Sequence, residues 1–363
     1  MNNMKYALIG CGRIAQNHLS AALDNGLEVV ALCDIYPPAM DTLAANSGLT
    51  DVRKYTNHLE MLEQEDLDLV AITTKSSLHA ATALDCIRKG IHVIIEKPIA
   101  LSLADVDAII EESERMGVKV CSCHQNRFNK PIQKLRSAVE SGEFGRLLYA
   151  SATIRWSRSR AYYEQAAWRG TWAEDGGTLM NQCVHNIDLL RWMMGDEITE
   201  VVAYTDQLVH NYIEGEDFGC ALIRFANGTY GLLEGTSALY KEDLEETLSL
   251  FGSKGSVMIG GKSLNLFEHW QFEGSAEEVA QLQEQYGENP SNIYGFGHLP
   301  LYADMIAAIR EDRRPYVDAM AGRNAIELIL AIYKSSAEGR PVKLPLKDVA
   351  TIDFTGRFDR GAE

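Results

Sequence analysis

The chain has 363 residues, 46% of them apolar and 23% charged, a composition typical of a globular protein long enough to form two domains. Its formal net charge of −17 disfavours DNA and anionic membrane surfaces as partners. The seven scattered cysteines do not suit a secreted disulfide framework, and no apolar run reaches membrane-spanning length. We therefore expect a soluble, cytoplasmic protein.

The first 120 residues alternate short runs of β-branched residues with amphipathic segments. The runs predict strands at 5–9, 28–33, 68–73, 91–95 and 118–121. The amphipathic segments predict helices at 14–25, 37–46, 77–89 and 103–116. Because strands and helices alternate at this spacing, residues 1–123 are predicted to form an α/β domain with a doubly wound parallel sheet, a Rossmann fold.

The pattern changes after about residue 145, where longer strands are predicted at 147–156, 197–210, 218–225, 229–238, 246–252 and 255–259. The pair Asn227-Gly228 between two of them is a strong hairpin signal. Helices are predicted at 177–194, 299–311 and 322–338, and the polar segment 274–292 is expected to be a loop or a mobile helix. Residues 124–363 are thus predicted to form an α+β substrate-binding and oligomerisation domain with a large, mostly antiparallel open sheet. Its C-terminal segment could pack back on the first domain.

A glycine-rich turn, Gly10-Cys11-Gly12-Arg13-Ile14-Ala15, joins the first predicted strand to the first helix. In a dinucleotide fingerprint Gly10 permits the tight turn, Gly12 lets the backbone approach the pyrophosphate, and the helix N-terminus attracts it. Asp34 follows Gly10 by 24 residues at the end of the second strand, where a carboxylate can accept the ribose hydroxyls. Its alternative roles are a solvated loop residue or a helix cap. No arginine follows Asp34 directly, and NAD is therefore predicted rather than NADP.

Metal-like spacing occurs only at Cys121-Ser122-Cys123-His124. Strand alternation explains this cluster, because it would put both cysteines on one face. No second ligand pair stands at zinc spacing, so we predict no metal site.

The segment ending in Glu96-Lys97-Pro98 closes the fourth predicted strand. Together with the glycine-rich turn and Thr74-x-x-x-Leu78-His79, it resembles the glucose–fructose oxidoreductase/inositol dehydrogenase (Gfo/Idh/MocA) family over essentially the whole chain. Lys75 replaces the usual proline after Thr74, a departure that affects only the cofactor-side loop. The resemblance implies NAD-dependent oxidation of a sugar alcohol, a homodimer or homotetramer, and possible cis geometry at Pro98.

Within that family the second half resembles the UDP-N-acetylglucosaminuronate 3-dehydrogenase branch, which acts in surface-polysaccharide synthesis. The similarity is carried by Gln125-Asn126-Arg127, Tyr162-Tyr163, the segment 167–172, Asp175-Gly176-Gly177, Met180-Asn181-Gln182 and His185, with Gly260-Gly261 and Glu268-His269-Trp270 further on. The resemblance implies oxidation at C3 of the sugar.

Lys97 lies just after a buried strand, at the sheet edge where ligands bind in open α/β folds. Near an oxidised nicotinamide its ammonium form would be disfavoured, so it suits the removal of a hydroxyl proton. His185 is predicted one turn after Asn181 on the same helix face. Polyol-oxidising relatives commonly carry aspartate at the position of Asn181, and an amide cannot neutralise an imidazolium. This favours Lys97 over His185 as the base. A surface lysine and a histidine at a domain interface are the structural alternatives.

Residues 124–172 contain nine Lys/Arg and three acids, a net charge of +6 within a strongly acidic chain. Arg155, Arg158, Arg160 and Arg169 are interleaved with Trp156, Tyr162, Tyr163, Trp168 and Trp172. Guanidinium groups can bind a diphosphate or carboxylate, and aromatic rings can cover a sugar or a base. A polyanionic nucleotide sugar would need such a patch, whereas inositol would not.

The candidate site follows from these arguments and from the resemblance. The predicted catalytic residues are Lys97, His185 and Asn181. The predicted cofactor-binding residues are Gly10, Gly12, Arg13, Ile14, Asp34, Thr74, His79, Glu96, Lys97 and Gln125. The predicted substrate-binding residues are Lys97, Arg127, Arg155, Tyr163, Trp168, Arg169, Asn181, His185 and His298. Tyr294 and Tyr302 either complete the pocket or pack on the sheet. The alternative functions are a free sugar or inositol dehydrogenase, an NAD-dependent glycoside hydrolase that uses transient 3-oxidation, and a non-catalytic nucleotide sensor.

Overall fold

The computed structural model describes residues 3–195, 197–289 and 294–359. The chain divides into two compact units, Met1–His124 with His298–Arg323 and Gln125–Gly297 with Asn324–Glu363. The division after residue 124 lies one residue from the predicted boundary. Residues 298–323, which were expected in the second domain, form part of the first unit.

The first unit is a Rossmann fold. Its strands are β1 (Lys5–Ile9), β2 (Glu28–Cys33), β3 (Arg53–Tyr55), β4 (Leu69–Ile72), β5 (His92–Ile95) and β6 (Val120–Ser122). Its helices are α1 (Ala15–Asp24), α2 (Pro37–Asn46), α3 (His58–Gln64), α4 (His79–Arg88) and α5 (Leu103–Met116), joined later by α11 (His298–Arg310). The six strands are all parallel, in the order β3-β2-β1-β4-β5-β6. β4 is buried along its whole length, because helices cover both faces of a doubly wound sheet.

The predicted α/β architecture of this unit is confirmed, and two of its elements were not predicted. β3 is a three-residue edge strand that begins with two exposed basic residues, so it carries no apolar run. The helix α3 begins at Asn57, whose side chain accepts a hydrogen bond from the backbone of Leu59 at 2.9 Å. Both elements are too short to leave a clear periodic pattern.

The second unit is built on an eight-stranded sheet. Its strands are β7 (Leu147–Arg155), β8 (Ile198–Asp206), β9 (Phe218–Phe225), β10 (Tyr230–Thr236), β11 (Glu245–Gly252), β12 (Gly255–Gly260), β13 (Leu266–Phe272) and β14 (Val342–Lys343). Its helices are α6 (Lys130–Glu140), α7 (Arg160–Glu164), α8 (Gly177–Asn181), α9 (Val184–Met194), α10 (Val279–Tyr286) and most of α12 (Ala319–Glu338). The strand order is β13-β12-β11-β7-β10-β9-β8-β14, antiparallel except between β7 and β10.

The predicted open, mostly antiparallel sheet is confirmed, as is the hairpin at Asn227-Gly228. Gly228 has a φ of +83°, and the Asn227 side chain accepts the backbone N–H of Thr229 at 3.1 Å. The strands β13 and β14 and the helices α6 and α7 were not predicted. Segment 274–292 contains α10, and its residues 290–292 lie outside the described residues.

The helix predicted at 177–194 is two helices, α8 and α9. Two consecutive backbone amides, those of Gln182 and Cys183, point to the same carbonyl, that of Thr178, at 2.8 and 3.2 Å. This widened turn interrupts the regular bonding pattern of the helix. Asn181 and His185 therefore lie on different helices, and the prediction that they share one face of a single helix is wrong.

One face of the large sheet packs on α9, whereas the other carries exposed apolar side chains. These are Tyr149, Tyr204, Leu222, Tyr230 and Leu232, between 39% and 71% exposed. A cluster of buried aromatic residues in the same unit contains Trp172, Tyr333 and Phe354. Among the described residues, no helix is long and apolar enough to cross a bilayer.

Candidate active site

The glycine-rich turn lies where β1 meets α1, and its backbone requires glycine at the first position. Gly10 has a φ of +96°, and a Cβ there would lie 2.6 Å from the carbonyl carbon of Thr73. The Thr73 hydroxyl also donates a short hydrogen bond to the Gly10 carbonyl, which ties the turn to the end of β4. By contrast, Gly12 and Arg13 are exposed, and a Cβ at Gly12 would meet no atom within 4 Å among the described residues. The N-terminus of α1, which follows half-buried Ile14, is thus accessible to a pyrophosphate.

Asp34 lies at the end of β2 next to this turn. One carboxylate oxygen accepts the backbone N–H of Cys11 at 2.6 Å, and the other accepts that of Tyr36 at 2.8 Å. Tyr36, not Asp34, is the N-cap residue of α2. A half-buried carboxylate fixed at this position has remaining lone pairs for ribose hydroxyls, and the two residues after it, Ile35 and Tyr36, are exposed and uncharged. The turn, the helix N-terminus and this carboxylate together fit NAD.

Two loops at the carboxyl edge of the parallel sheet are held together by His79. Its ring nitrogens lie 2.7 Å from the Pro98 carbonyl oxygen and 3.0 Å from that of Thr74. The Lys97-Pro98 peptide bond is cis. His79 is almost fully buried and joins the loop after β4 to the loop after β5.

Glu96 is a buried carboxylate immediately before Lys97. Its Oε1 lies 2.8 Å from His18 Nε2, and its Oε2 accepts the backbone N–H of Lys97 at 3.1 Å. Burial alone would raise the pKa of Glu96, but the hydrogen bond from His18, the nearby His298 ring and the charge of Lys97 hold that pKa well below its ordinary value. Glu96 is therefore anionic at neutral pH and fixes the backbone that carries half-buried Lys97.

In the second unit, His185 is the one residue of α9 that is not buried. The neighbouring half-buried side chains, Asn181 and Gln182, are connected by a hydrogen bond of 2.6 Å from Gln182 Nε2 to Asn181 Oδ1. The Asn181 amide donates a short bond to Asp175, which also accepts the backbone N–H of Gly170 at 2.6 Å. The end of α8 thus presents the Asn181 amide, which the Asp175 carboxylate orients, and the start of α9 presents the His185 imidazole.

Arg169 is half-buried and differs from most of the basic residues of its segment, which are paired with acids. Its guanidinium stacks 4.0 Å from the centre of the Tyr162 ring and lies 5.5 Å from that of Trp168. Among the described residues no carboxylate oxygen approaches Arg169 within 4.0 Å, and its Nε is buried without a hydrogen-bond partner. The Tyr162 hydroxyl accepts a 2.9 Å hydrogen bond from Gln182, the neighbour of Asn181. An available cation therefore lies on the same surface as the amide of Asn181.

Two arginines that are predicted to bind substrate form ion pairs with acids. Arg127 forms a bidentate pair with Asp188 at 2.6 and 2.7 Å, and both side chains are buried. Arg155 lies on β7 and bonds Glu234 and Glu245 at 2.6 to 2.7 Å. In this structure both guanidinium groups hold elements of the second unit together, because each of them already has a carboxylate.

The basic patch as a whole is less positive than its composition suggests. Four of its cations form ion pairs with acids: Lys134 with Glu277, Arg136 with Glu140, Arg158 with Asp243, and Arg160 with Glu164. Two of these acids, Glu277 and Asp243, lie outside the segment along the chain, so the residue count alone could not reveal the pairing.

The remaining predicted residues are mostly buried. The Tyr163 hydroxyl lies 3.0 Å from Ser237 Oγ, and Trp168 is half-buried beside Arg169. The Gln125 carbonyl packs against Gly297, where an added Cβ would lie 2.1 Å from the carbonyl oxygen. His298 is only 4% exposed and belongs to the first unit beside Glu96. Tyr302 is fully buried, and its hydroxyl forms hydrogen bonds with Tyr6 and His18. Of the two alternatives for Tyr302, packing in the protein interior agrees with this position.

Sequence analysis missed three residues that organise this site. Asp175 and Gln182 orient Asn181, and their only signal was that they belong to the motifs that carry the family resemblance. His18 bonds Glu96 from the interior of α1, and its position on a buried helix face gave no functional signal.

Comparisons with known proteins agree with this geometry. Residues 4–124 match the oxidoreductase family NAD-binding Rossmann fold, and residues 136–344 match the C-terminal alpha/beta domain of the same Gfo/Idh/MocA family. The WlbA dehydrogenase from Bordetella pertussis, solved with NADH and UDP-GlcNAcA, is 34% identical, with 95% of this chain and 99% of that chain covered and a TM-score of 0.87. The WlbA dehydrogenase from Chromobacterium violaceum, solved with the same ligands, is also 34% identical, with 96% and 97% covered and a TM-score of 0.87. The myo-inositol 2-dehydrogenase of Thermotoga maritima is 27% identical over 355 residues, 94% of this chain and 98% of that protein. The chain belongs to the Gfo/Idh/MocA family and is an NAD-dependent oxidoreductase of the kind that dehydrogenates sugars and polyols.

Proposed function

We propose that this enzyme oxidises the C3 hydroxyl of a UDP-N-acetylglucosaminuronate-type nucleotide sugar in surface-polysaccharide synthesis. The observation that carries the proposal is Arg169, a cation stacked on Tyr162 with no carboxylate neighbour among the described residues. A guanidinium held in this way suits a diphosphate or a uronic acid carboxylate, and stacking keeps its planar group oriented. The 34% identity to two dehydrogenases solved with UDP-GlcNAcA supports the same substrate class.

Bound NAD would supply the hydride acceptor. Gly10, Gly12 and the N-terminus of α1 would hold its pyrophosphate, and Asp34 its ribose. Lys97 Nζ takes the proton of the substrate hydroxyl, while the anionic Glu96 carboxylate fixes the backbone at Lys97. We assign the His185 imidazole to the substrate oxygen, since it is the accessible side chain of α9. Asn181, held by Asp175, orients the substrate beside it.

Two observations bear on the alternative, a free sugar or inositol dehydrogenase. The 27% identity to a myo-inositol dehydrogenase over nearly the whole chain favours it. An uncharged polyol, however, would leave the half-buried guanidinium of Arg169 without an anionic partner, which is costly for a charged group. The anionic substrate therefore agrees better with the site.

The substrate assignment is tested by supplying NAD with UDP-N-acetylglucosaminuronate, UDP-N-acetylglucosamine, glucose or myo-inositol. Following NADH absorbance and product mass, we expect turnover only with the uronate, with a product two mass units lighter. Turnover with inositol alone would remove the nucleotide-sugar assignment. A glycoside hydrolase would instead release a cleaved sugar without net NADH.

The role of Arg169 is tested by Arg169→Gln, with Arg160→Gln as the matched control. Arg160 is an exposed residue of the same segment whose charge is already paired with Glu164. Losing one charge-assisted contact of about 2–3 kcal/mol predicts a KM for the nucleotide sugar about 30- to 150-fold higher in Arg169→Gln. The control should stay within about twofold of wild type, because exposed pairs contribute little. Equal KM values in the two variants would refute the assignment of Arg169.

The proton-acceptor role is tested by Lys97→Met, with the exposed Lys89→Met as control. We expect kcat to fall at least about 100-fold in Lys97→Met, since general base catalysis contributes that much, with NAD affinity retained. Normal turnover would exclude Lys97 from the chemistry.

We also propose a cytoplasmic homodimer or homotetramer that associates through the exposed face of the large sheet. That face carries Tyr204, Leu222 and Leu232, and exposed apolar patches of this kind commonly mark interfaces.

A further inference from the structure

Four buried side chains with metal-binding atoms meet inside the first unit, although they are far apart in the sequence. They are His18 on α1, Glu96 after β5, Cys123 after β6 and His298 at the start of α11. Their ligand atoms all lie within 4.8 Å of one another, and none of the four residues is more than 7% exposed. The parallel strand order brings the ends of β5 and β6 together, so the cluster depends on the fold.

Hydrogen bonding accounts for only part of this cluster. His18 Nε2 lies 2.8 Å from Glu96 Oε1, and His18 Nδ1 lies 2.8 Å from the Tyr302 hydroxyl. His298 is different: among the described residues neither ring nitrogen has a hydrogen-bond partner, and its Nε2 lies 3.9 Å from Glu96 Oε1. A buried polar group without a hydrogen-bond partner is costly, and a bound ligand would offset that cost. Burial also lowers the pKa of His298 and keeps its imidazole neutral, the form that binds metals.

We propose that His18, Glu96, Cys123 and His298 form a binding site for a divalent transition-metal ion of the zinc type. Two imidazoles, a thiolate and a carboxylate are the ligands that zinc takes in proteins. Bond lengths of about 2.0–2.3 Å in a tetrahedron give separations of about 3.3–3.6 Å between ligand atoms. The separations of 2.8, 3.9 and 4.0 Å lie on either side of this range, so modest side-chain rotations complete the geometry.

The charges and protons of the cluster also balance. One thiolate and one carboxylate neutralise the two positive charges of the ion, so the buried site has no net charge. When the ion binds, the Cys123 thiol proton leaves to solvent and the proton on His18 Nε2 is replaced by one on Nδ1, so that His18 stays a neutral imidazole. His18 then binds through Nε2 and donates from Nδ1 to the Tyr302 hydroxyl, a second contact that orients the ring.

Four protein ligands leave no open position for a water molecule, which is typical of structural zinc sites. The ion would connect α1, α11 and the ends of β5 and β6. Because Glu96 also bonds the backbone of Lys97, the site would stabilise the loop that carries Lys97. The proposal does not depend on the identity of the sugar substrate.

The test uses the full, tag-free protein with NAD, after chelator treatment and dialysis against zinc or cobalt. We expect about one zinc ion per chain by mass spectrometry, and with cobalt a thiolate-to-metal charge-transfer band with tetrahedral d–d bands. Cys123→Ser and His298→Gln should each weaken metal affinity at least about 100-fold, because each variant replaces a side chain that would bind the ion directly. Cys121→Ser, a buried neighbour outside the cluster, should behave like wild type.

Substoichiometric metal in the wild type, or a cobalt spectrum without the thiolate band, would overturn the proposal. Equal metal affinity in Cys123→Ser and Cys121→Ser would do the same, since it would indicate binding elsewhere. If a variant does not fold, as judged by circular dichroism, the cobalt spectrum of the wild type decides alone.

Discussion

Glu216 offers a test of how burial sets the stability of the second unit. The residue is fully buried, and its Oε1 accepts hydrogen bonds from the Leu179 backbone at 2.7 Å and the Tyr333 hydroxyl at 2.8 Å. Its Oε2 lies against Gly177, where a Cβ would come within 1.9 Å. Burial raises the pKa of Glu216 from 4.5 to about 8, although the two hydrogen bonds oppose the shift. The carboxyl is therefore neutral in the folded enzyme at pH 7 and supports the start of α8, which ends at Asn181.

The perturbation is Glu216→Gln, which has the shape of the protonated acid and keeps an acceptor for both hydrogen bonds. Because the folded pKa is raised, the wild type has its full stability below pH 4.5 and loses it progressively until about pH 8. At 1.4 kcal/mol per pH unit, the loss between pH 5 and pH 8 is about 4 kcal/mol as an upper bound. The glutamine variant has no such loss. The difference in free energy of unfolding between the variant and the wild type should therefore change in favour of the variant by about 4 kcal/mol from pH 5 to pH 8.

The assay is thermal unfolding of both proteins at pH 5 and pH 8, followed by circular dichroism. A gain of 4 kcal/mol corresponds to a Tm difference about 8–16 °C larger at pH 8 than at pH 5 for a unit of this size. Glu246, whose pKa burial also raises to about 8, titrates in both proteins and cancels from the comparison. The exposed Glu242→Gln is the control and should show no pH-dependent difference. A constant Tm difference between Glu216→Gln and wild type at the two pH values would refute the reasoning.

Three further predictions test the nucleotide turn, a buried ion pair and the exposed sheet face. Gly10→Ala should destabilise the enzyme by more than about 2 kcal/mol, since it combines a φ of +96° with a backbone clash. Gly12→Ala should keep the wild-type Tm but weaken NAD binding at least about tenfold by calorimetry, because the added Cβ would meet only the approaching pyrophosphate. Equal losses of Tm in Gly10→Ala and Gly12→Ala would contradict this. Asp188→Asn should cost about 3–5 kcal/mol in denaturant unfolding, because it removes the carboxylate that is paired with the buried charge of Arg127. A loss below about 1 kcal/mol would show that the pair is not needed. Leu232→Glu should convert the expected oligomer to monomer in light scattering with unchanged Tm, whereas an unchanged mass would move the interface elsewhere.

Much of the fold could be predicted from local signals. Fully buried parallel strands such as Leu69–Ile72 are continuous apolar runs, and Asn227-Gly228 has the chemistry that its turn requires. The turn and the carboxylate that fit NAD could be predicted for the same reason, since backbone geometry places Gly10 and Asp34 at fixed distances along the chain. Elements without a long periodic pattern, such as Arg53–Tyr55, were not found. The break between Asn181 and His185 was also missed, because it arises from hydrogen bonding to Thr178 rather than from glycine or proline.

Residue types and local spacing determine which backbone conformations a segment adopts, and so the sequence by itself determined the Rossmann unit, the hairpin and the cofactor class. Charge pairing was decided by the tertiary structure alone. Arg155 and Arg169 look equivalent in the sequence, yet strand pairing brings Glu234 and Glu245 to the first and places aromatic rings beside the second. The same holds for His18, Glu96, Cys123 and His298, because contacts between residues distant in the chain depend on strand order and helix packing, which no local pattern encodes.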